Sequence, residues 1–266
     1  MSERSERTDG MSERSERADG ASEQTEEERA AAALARAERR SGVHIYLGRP
    51  GLRERIAWAI CWNFLNGWTR LWFRVEYRGL EHLPKDDPYI LAPVHRSNID
   101  FALAACLTYR RQRFMAKDTL WKPGFGVLWS ALGGIPVARG TADREALSAS
   151  QTVLEAGEPL VMFPEGTRQH GPVVETLFDG PAFVQARTGV AIVPVGIGGS
   201  EAAMPKGAKW IRPKKVVVVV GEPLPAPETE GAKARRTAVR AQTALLKEQL
   251  QALFDDAQRR AGTPNA

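Results

Sequence analysis

The chain has 266 residues, of which 43% are hydrophobic and 26% charged, enough for one substantial core in a single large domain. Its net charge of +5 is uneven, because residues 1–40 hold 8 basic and 11 acidic residues and leave a net charge of +8 on the remainder. A basic folded part suits nucleic acid, anionic lipid or phosphorylated substrates. Without a Cys/His zinc pattern or an aromatic platform for single strands, a nucleic-acid-binding role is disfavoured.

The first residues predict a tail. MSERSERTDG and MSERSERADG form a polar ten-residue duplication with no residue able to nucleate a core, and residues 1–42 are predicted to be disordered or partly helical. The duplication places a second methionine at Met11, so the translation start stays open. No signal-peptide pattern opens the sequence, and we expect the protein on the cytoplasmic face of the cell membrane.

Four of the seven tryptophans fall between Ile56 and Val75, in IAWAICWNFLNGWTRLWFRV. Polar residues recur there at helical spacing, and apolar residues cover the rest of the helix. A spanning helix would bury Arg70, so residues 43–79 are predicted to be an amphipathic, membrane-interfacial segment anchored by tryptophans such as Trp68 and Trp72. The alternative is a helix packed on the protein's own core.

An α/β rhythm begins after Gly79. Six apolar runs predict strands at Tyr89–Val94, Arg113–Ala116, Ile135–Ala138, Leu160–Phe163, Ala191–Gly196 and Val216–Val220. Helical periodicity predicts helices at Asp100–Tyr109, Phe125–Leu132, Ala142–Ala156, Pro181–Arg187 and about Ala232–Arg260. Residues 80–266 are therefore predicted to form an α/β domain with a central, mostly parallel sheet flanked by helices. Cys61 and Cys106 lie in apolar segments and are predicted to be buried thiols rather than a disulfide bridge.

His95 directly follows the strand candidate YILAPV, and Asp100 comes five residues later at a helix start. On a continuous helix the two side chains would point apart, so the chain must turn between them. A turn lets the carboxylate hold one imidazole nitrogen and leave the other free as a general base. Acyl transfer from a thioester to an alcohol needs such a base and no covalent acyl-enzyme.

Three further blocks follow HRSNID at 95–100: GGIPVARG at 133–140, FPEGTR at 163–168 and IVPVGI at 192–197. In this order and spacing the chain resembles the 1-acylglycerol-3-phosphate acyltransferases, a glycerolipid acyltransferase family, across roughly residues 56–221. The resemblance implies acyl transfer from acyl-CoA or acyl carrier protein to a lysophosphatidic acid, giving phosphatidic acid in phospholipid biosynthesis. It implies no cofactor.

The resemblance also assigns residues. His95 is implied as the catalytic base and Asp100 as its partner. The implied substrate-binding residues are Lys117, Arg139, Glu165, Gly166, Thr167 and Arg168. Arg139 and Arg168 suit an acceptor phosphate, Gly166 permits close backbone approach, and Glu165 either binds a glycerol hydroxyl or fixes an arginine.

The sequence departs from the family pattern at Asp179, where many relatives carry a basic residue. Either Asp179 points away from the phosphate or the acceptor is another lysolipid, such as a lyso-ornithine lipid. A third possibility is a catalytically silent module that binds anionic membrane. His170 lacks a nearby carboxylate in sequence and is interpreted as a loop residue. The four histidines show no metal-ligand spacing, so no metal site is predicted.

Overall fold

The computed structural model describes residues 51–117, 133–137, 143–228 and 231–264, together with Ala32 and Ala35. Within these residues a seven-stranded sheet has the order β1-β7-β6-β2-β5-β3-β4. Its strands are β1 Glu76–Arg78, β2 Tyr89–Pro93, β3 Arg113–Lys117, β4 Gly134–Val137, β5 Leu160–Val161, β6 Ala191–Gly198 and β7 Val217–Val220. The described helices are α1 Leu52–Phe73, α2 Asp100–Ala105, α3 Asp143–Glu155, α4 Gly180–Thr188, α5 Ser200–Ala203 and α6 Ala232–Ala261.

The predicted fold class is confirmed: the sheet is mostly parallel, and the β6–β7 pair is antiparallel. Every residue of β2 is buried, as a central parallel strand covered on both faces requires. This double burial explains why its sequence is a continuous apolar run. Some predicted elements are shorter than expected, since β5 ends at Val161 and α2 ends at Ala105. The predicted helix Phe125–Leu132 lies outside the described residues.

The sheet begins earlier than the sequence suggested. Strand β1, Glu76–Arg78, was not predicted, and it pairs in parallel with β7. Three alternating residues, EYR, give no apolar run, so the strand depends on pairing with β7 rather than on local pattern. The boundary placed between residues 79 and 80 therefore cuts through the sheet, and the end of the segment predicted to be interfacial belongs to it.

Helix α6 lies unusually close to β6. A Cβ atom added at Gly196 would come within 2.3 Å of the Leu253 backbone, and one at Gly198 would come within 2.2 Å of the Ala257 backbone. The two glycines are two residues apart and face the same side of the strand, so they let the helix backbone rest on the strand backbone. The fourth sequence block thus positions the C-terminal helix.

Three tryptophans of helix α1 contact the rest of the protein, whereas the fourth, Trp72, is 43% exposed. The indole N–H groups of Trp58 and Trp62 donate to the carbonyls of Tyr109 and Thr108, both at 2.9 Å. Trp68 packs edge-on against buried Phe73. The polar N–H groups of Trp58 and Trp62 are thus satisfied inside the fold, and anchoring at a membrane interface by Trp68 and Trp72 stays a prediction.

The opposite side of α1 exposes a row of aliphatic and aromatic residues, hereafter the outer face of α1: Leu52, Ile56, Ile60, Phe64 and Leu71. Phe64 is 73% exposed and Leu71 is 85% exposed. The helix therefore packs on the core by one face and presents a second apolar face to its surroundings. In the part of the chain that the structure describes, no helix is both long and apolar enough to cross a bilayer.

Both cysteines are free. Cys106 is buried, and its burial raises the pKa of the thiol to about 11. Cys61 is only half-buried on α1. A high pKa keeps the Cys106 thiol protonated at neutral pH, so this residue packs as a small apolar side chain.

Candidate active site

The site begins where β2 ends. The strand stops at Pro93, Val94 still donates its N–H to the Val195 carbonyl, and the chain then turns before α2 starts at Asp100. This turn brings the His95 and Asp100 side chains together, with 3.1 Å between His95 Nδ1 and Asp100 Oδ2. The five-residue spacing thus becomes a contact because residues 95–99 do not continue a helix.

The Asp100 carboxylate is itself fixed. Its Oδ2 atom accepts the backbone N–H groups of Arg96 at 2.7 Å and Ser97 at 2.6 Å, and the residue is fully buried. An oxygen that accepts from two amides can only accept from the imidazole as well, so Nδ1 carries the proton and Nε2 stays available as a base. Backbone donors thereby set the tautomer and the direction of the His95 ring.

The third sequence block, FPEGTR, supplies the wall beside the imidazole. The Phe163 ring lies against the His95 ring with 4.1 Å between centroids and 31° between planes. The His95 side chain keeps 20% of its surface exposed. The ring is held on its Asp100 and Phe163 sides and remains accessible from outside.

Glu165 is held inside the fold. It is buried, its Oε1 atom accepts from Arg96 Nη1 at 2.5 Å, and its Oε2 atom accepts the backbone N–H of His95 at 2.7 Å. Of the two roles considered for Glu165, fixing an arginine matches these contacts, and binding a glycerol hydroxyl does not, since the side chain is fully buried. The carboxylate ties FPEGTR directly to the His95 backbone.

Arg96 is a site residue that the sequence analysis missed. Only 1% of it is exposed, and besides Glu165 it donates to the carbonyls of Gly171 at 3.3 Å and Val173 at 3.0 Å. Its guanidinium also lies 4.8 Å from the centroid of the Phe254 ring on α6. A buried arginine of this kind needs several partners to offset its lost hydration. The sequence signal that could have identified Arg96 was its position beside a histidine, together with an acidic residue in FPEGTR.

Gly166 was expected to permit close approach of the backbone to the substrate, but its close neighbour in the structure is a protein side chain. Gly166 has φ of 66°, and an added Cβ there would come within 2.7 Å of the Phe178 ring. The close neighbour seen at this glycine is thus Phe178.

Asp179 points toward α6, where its Oδ1 atom accepts from the Thr243 hydroxyl at 2.7 Å. One of the two expectations was that Asp179 points away from the phosphate site. The hydrogen bond to Thr243 provides a reason for such an orientation.

The remaining candidates are placed as follows. Thr167 is exposed and accepts from Gln169 Nε2 at 3.1 Å. Arg168 is half-buried, and its carbonyl accepts from Lys206 Nζ at 3.2 Å. Lys117 ends β3, whose carboxyl end lies at the same sheet edge as that of β2 because both strands run parallel to β5. Arg139 lies outside the described residues.

His170 has the carboxylate that its sequence neighbourhood lacks. Its Nδ1 atom is 3.3 Å from Glu201 Oε1, although 31 residues separate the two. The His170 side chain is 58% exposed. The description of His170 as a loop residue stands, and a distant segment supplies the carboxylate that its sequence neighbourhood lacks.

Comparison with known proteins places these residues in a family. A family model described as Acyltransferase matches residues 74–198. Over these residues, the chain is similar to the acyltransferases. The matched region contains all four sequence blocks, and its start near β1 agrees with the start of the sheet rather than with residue 80.

Individual members of this acyltransferase family give the same result. A chloroplastic 1-acyl-sn-glycerol-3-phosphate acyltransferase, LPAT1 of Arabidopsis thaliana, is 29% identical over 157 residues, which are 57% of this chain and 44% of that protein. The epsilon 1-acyl-sn-glycerol-3-phosphate acyltransferase of Mus musculus is 34% identical over 139 residues, 46% of this chain and 38% of that protein. The chain thus spans less than half the length of these relatives.

A solved structure in the family extends the likeness beyond the motifs. The crystal structure of PlsC, the 1-acyl-sn-glycerophosphate acyltransferase of Thermotoga maritima, matches with a TM-score of 0.57 and 26% identity. The match covers 82% of this chain and 88% of that one.

Proposed function

We propose that this protein transfers a fatty acyl group from a thioester donor to the free hydroxyl of 1-acylglycerol-3-phosphate, giving phosphatidic acid. The observation that carries the proposal is the His95–Asp100 contact, in which a buried, backbone-fixed carboxylate holds Nδ1 and leaves Nε2 as the free nitrogen of a side chain that is 20% exposed. A base held in one tautomer beside an opening is what alcohol acylation requires.

The reaction follows from that geometry. His95 Nε2 takes the proton of the acceptor hydroxyl as its oxygen attacks the thioester carbonyl. The tetrahedral intermediate then collapses, the C–S bond breaks, and the imidazolium returns the proton to the leaving thiolate. Asp100 stabilises the transient imidazolium through Nδ1, and no covalent acyl-enzyme or cofactor is needed. The donor is acyl-CoA or acyl carrier protein.

The acceptor phosphate is assigned to basic residues at the carboxyl ends of the strands. Lys117 ends β3, Arg168 follows FPEG, and Arg139 follows β4 in the sequence. Arginine forks match phosphate oxygens in pairs. The Asp179 carboxylate accepts from Thr243 on α6, and this orientation supports a phosphate-bearing acceptor.

We further propose that the protein works at the cytoplasmic face of the cell membrane as a peripheral or monotopic enzyme. The outer face of α1 supports this placement, because a row of exposed apolar residues along one helix is suited to the headgroup and acyl boundary of one leaflet. A lipid acceptor and donor chain would then reach the site without leaving the membrane.

Product analysis tests the proposed acceptor. Purified protein in detergent is given a panel of lysolipids with each thioester donor, and the products are identified by mass. We expect phosphatidic acid from lysophosphatidic acid with the highest turnover. Preferred acylation of a lyso-ornithine lipid would replace the acceptor and keep the chemistry, whereas no acylation of any lysolipid would defeat the enzyme proposal.

Arginine variants test the phosphate contact. Arg168→Ala and Arg139→Ala should each raise the KM for lysophosphatidic acid, because losing a charge-assisted contact costs roughly 1.5–3 kcal/mol, a factor of about 10 to 100. Lysine at either position should rescue in part. A change confined to donor saturation would reassign these residues to the donor's phosphates. Equal loss toward a phosphate-free lysolipid would end the phosphate role.

Charge substitutions on the outer face of α1 test the membrane placement. Phe64→Glu with Leu71→Glu should reduce co-sedimentation with vesicles, because both side chains are exposed and apolar. Leu245→Glu on α6 is the matched control, since it also places a charge at an exposed leucine. Unchanged sedimentation of the double variant would restrict α1 to packing on the core.

A further inference from the structure

The segment between α5 and β7 is strongly basic. Five cations fall within residues 206–215, hereafter the basic loop: Lys206, Lys209, Arg212, Lys214 and Lys215. No aspartate or glutamate occurs between Glu201 and Glu222. Such a run carries a concentrated positive field on a segment that no strand or helix constrains.

The cations of the basic loop are largely available. Lys215 pairs with Glu76 at 3.3 Å, and Lys206 donates to the Arg168 carbonyl. The side chains of Lys209, Arg212 and Lys214 are exposed and have no acidic partner within the described ranges 51–117, 133–137, 143–228 and 231–264. Their positive charges are therefore available to bind an anionic partner.

A tryptophan stands among these cations. Trp210 is 83% exposed, although tryptophan carries one of the largest apolar surfaces of any side chain. An exposed indole between lysines and an arginine is the combination preferred at the headgroup level of a bilayer. A purely solvated loop would give no reason for it.

The basic loop lies at the active-site edge of the sheet. At its start, the Ser97 hydroxyl donates to the Met204 carbonyl at 2.7 Å, and Lys206 reaches the FPEGTR segment. At its end, Val216 donates its N–H to the Phe73 carbonyl at the end of α1. Leu71 and Trp72, exposed in the last turn of α1, are close by in the chain.

We propose that the basic loop docks on anionic lipid headgroups and holds the His95 opening against the membrane surface. The proposal rests on the proposed function only in that the acceptor is taken from a membrane. A lipid surface is favoured over an acidic protein because Trp210 and the neighbouring end of α1 add apolar groups, which insert between headgroups. The loop supplies charge, and the outer face of α1 supplies apolar contact.

The test uses the full chain and co-sedimentation with phosphatidylcholine vesicles, with and without phosphatidylglycerol. The triple variant Lys209→Gln, Arg212→Gln, Lys214→Gln should bind the anionic vesicles about 100-fold more weakly, since each cation near such a surface contributes about fivefold. Added salt should weaken the wild type and leave the triple variant nearly unchanged. Trp210→Ala should weaken binding to both kinds of vesicle.

The matched control is Lys233→Gln, Arg236→Gln, Arg240→Gln. These exposed cations lie in the first turns of α6, whereas the other end of that helix, at Ala261, lies beside Gly199 at the active-site edge. The control removes the same charge and should keep vesicle binding. Equal loss from both triple variants, or full binding by the loop variant, would overturn the proposal.

Turnover separates this proposal from the function on which it rests. In uncharged detergent micelles the loop variant should retain wild-type turnover. Loss of turnover only with acyl carrier protein as donor, together with normal vesicle binding, would mark the loop as a carrier-protein surface and defeat the lipid proposal. A wild-type chain that bound anionic vesicles through the loop but acylated nothing would defeat the enzyme function alone.

Discussion

Two histidine–carboxylate pairs lie near each other in this protein and differ in almost everything except distance. His95 and Asp100 are 3.1 Å apart, and His170 and Glu201 are 3.3 Å apart. Gln169, the residue before His170, donates its N–H to the His95 carbonyl. Proximity to a carboxylate therefore does not distinguish the two imidazoles.

What differs is how the carboxylate is held. Asp100 is fully buried and bound by two backbone amides, whereas Glu201 keeps 28% of its side chain exposed in a pair whose histidine is 58% exposed. A fixed, dehydrated carboxylate orients a ring and stabilises its charge, but an exposed one competes with water. Under the proposed function, the rigidity of the support, rather than the contact itself, makes His95 the candidate base.

The largest expected effect separates the two histidines by rate. His95→Ala should lower kcat by about 10²–10⁴-fold at least, because it removes the general base. Asp100→Asn should lose much of the same factor, since it removes the charge that stabilises the imidazolium. Acyl-transfer assays beside melting curves provide the measurement. Near-normal turnover in a variant with unchanged melting would place the base elsewhere.

The second effect compares how much the buried Glu165 and the more exposed Glu201 contribute to the free energy of unfolding. Glu165→Ala should lower the free energy of unfolding by about 3–5 kcal/mol, because Arg96 is left buried without its counter-ion. Glu201→Ala should cost about 0–1 kcal/mol, since its pair is largely exposed. Urea unfolding monitored by tryptophan fluorescence compares them. Similar midpoints for the two variants would show that the Arg96 pair adds little to the fold.

The smallest expected effect concerns the exposed pair itself. His170→Ala should change kcat and KM less than about twofold, because the ring is mostly solvated and its carboxylate is loosely held. Glu201→Gln should behave in the same way. Steady-state kinetics at several pH values decide the matter. A pH profile displaced by Glu201→Gln would give His170 a part in the chemistry. The His95–Asp100 and His170–Glu201 pairs would then no longer differ in function.

Sequence reasoning reached the buried strands and the first pair for physical reasons. A parallel strand covered on both faces must be apolar along its whole length, so β2 and β6 could be recognised from their local amino-acid sequence. The His95–Asp100 contact could be anticipated because both residues lie within one turn of chain. Local information was sufficient for each.

Long-range partners were beyond the same reasoning. Glu165 is 69 residues from Arg96, and Glu201 is 31 residues from His170, so no local pattern joins them. For α1, helical periodicity grouped the residues into faces but could not tell which face points inward. Trp58 and Trp62 are turned inward by carbonyls that follow α2, and only the assembled fold reveals them.

The close seating of α6 on β6 has a consequence for the order in which the enzyme becomes competent during synthesis. Phe254 lies beneath Arg96, and Gln251 accepts the Val174 N–H and donates to the Pro172 carbonyl, so α6 braces the segment behind His95. The ribosome makes His95 long before it makes these supports. A nascent chain whose α6 is still within the exit tunnel would present the histidine on an unbraced loop, and the candidate site would be complete only after that helix has emerged and docked.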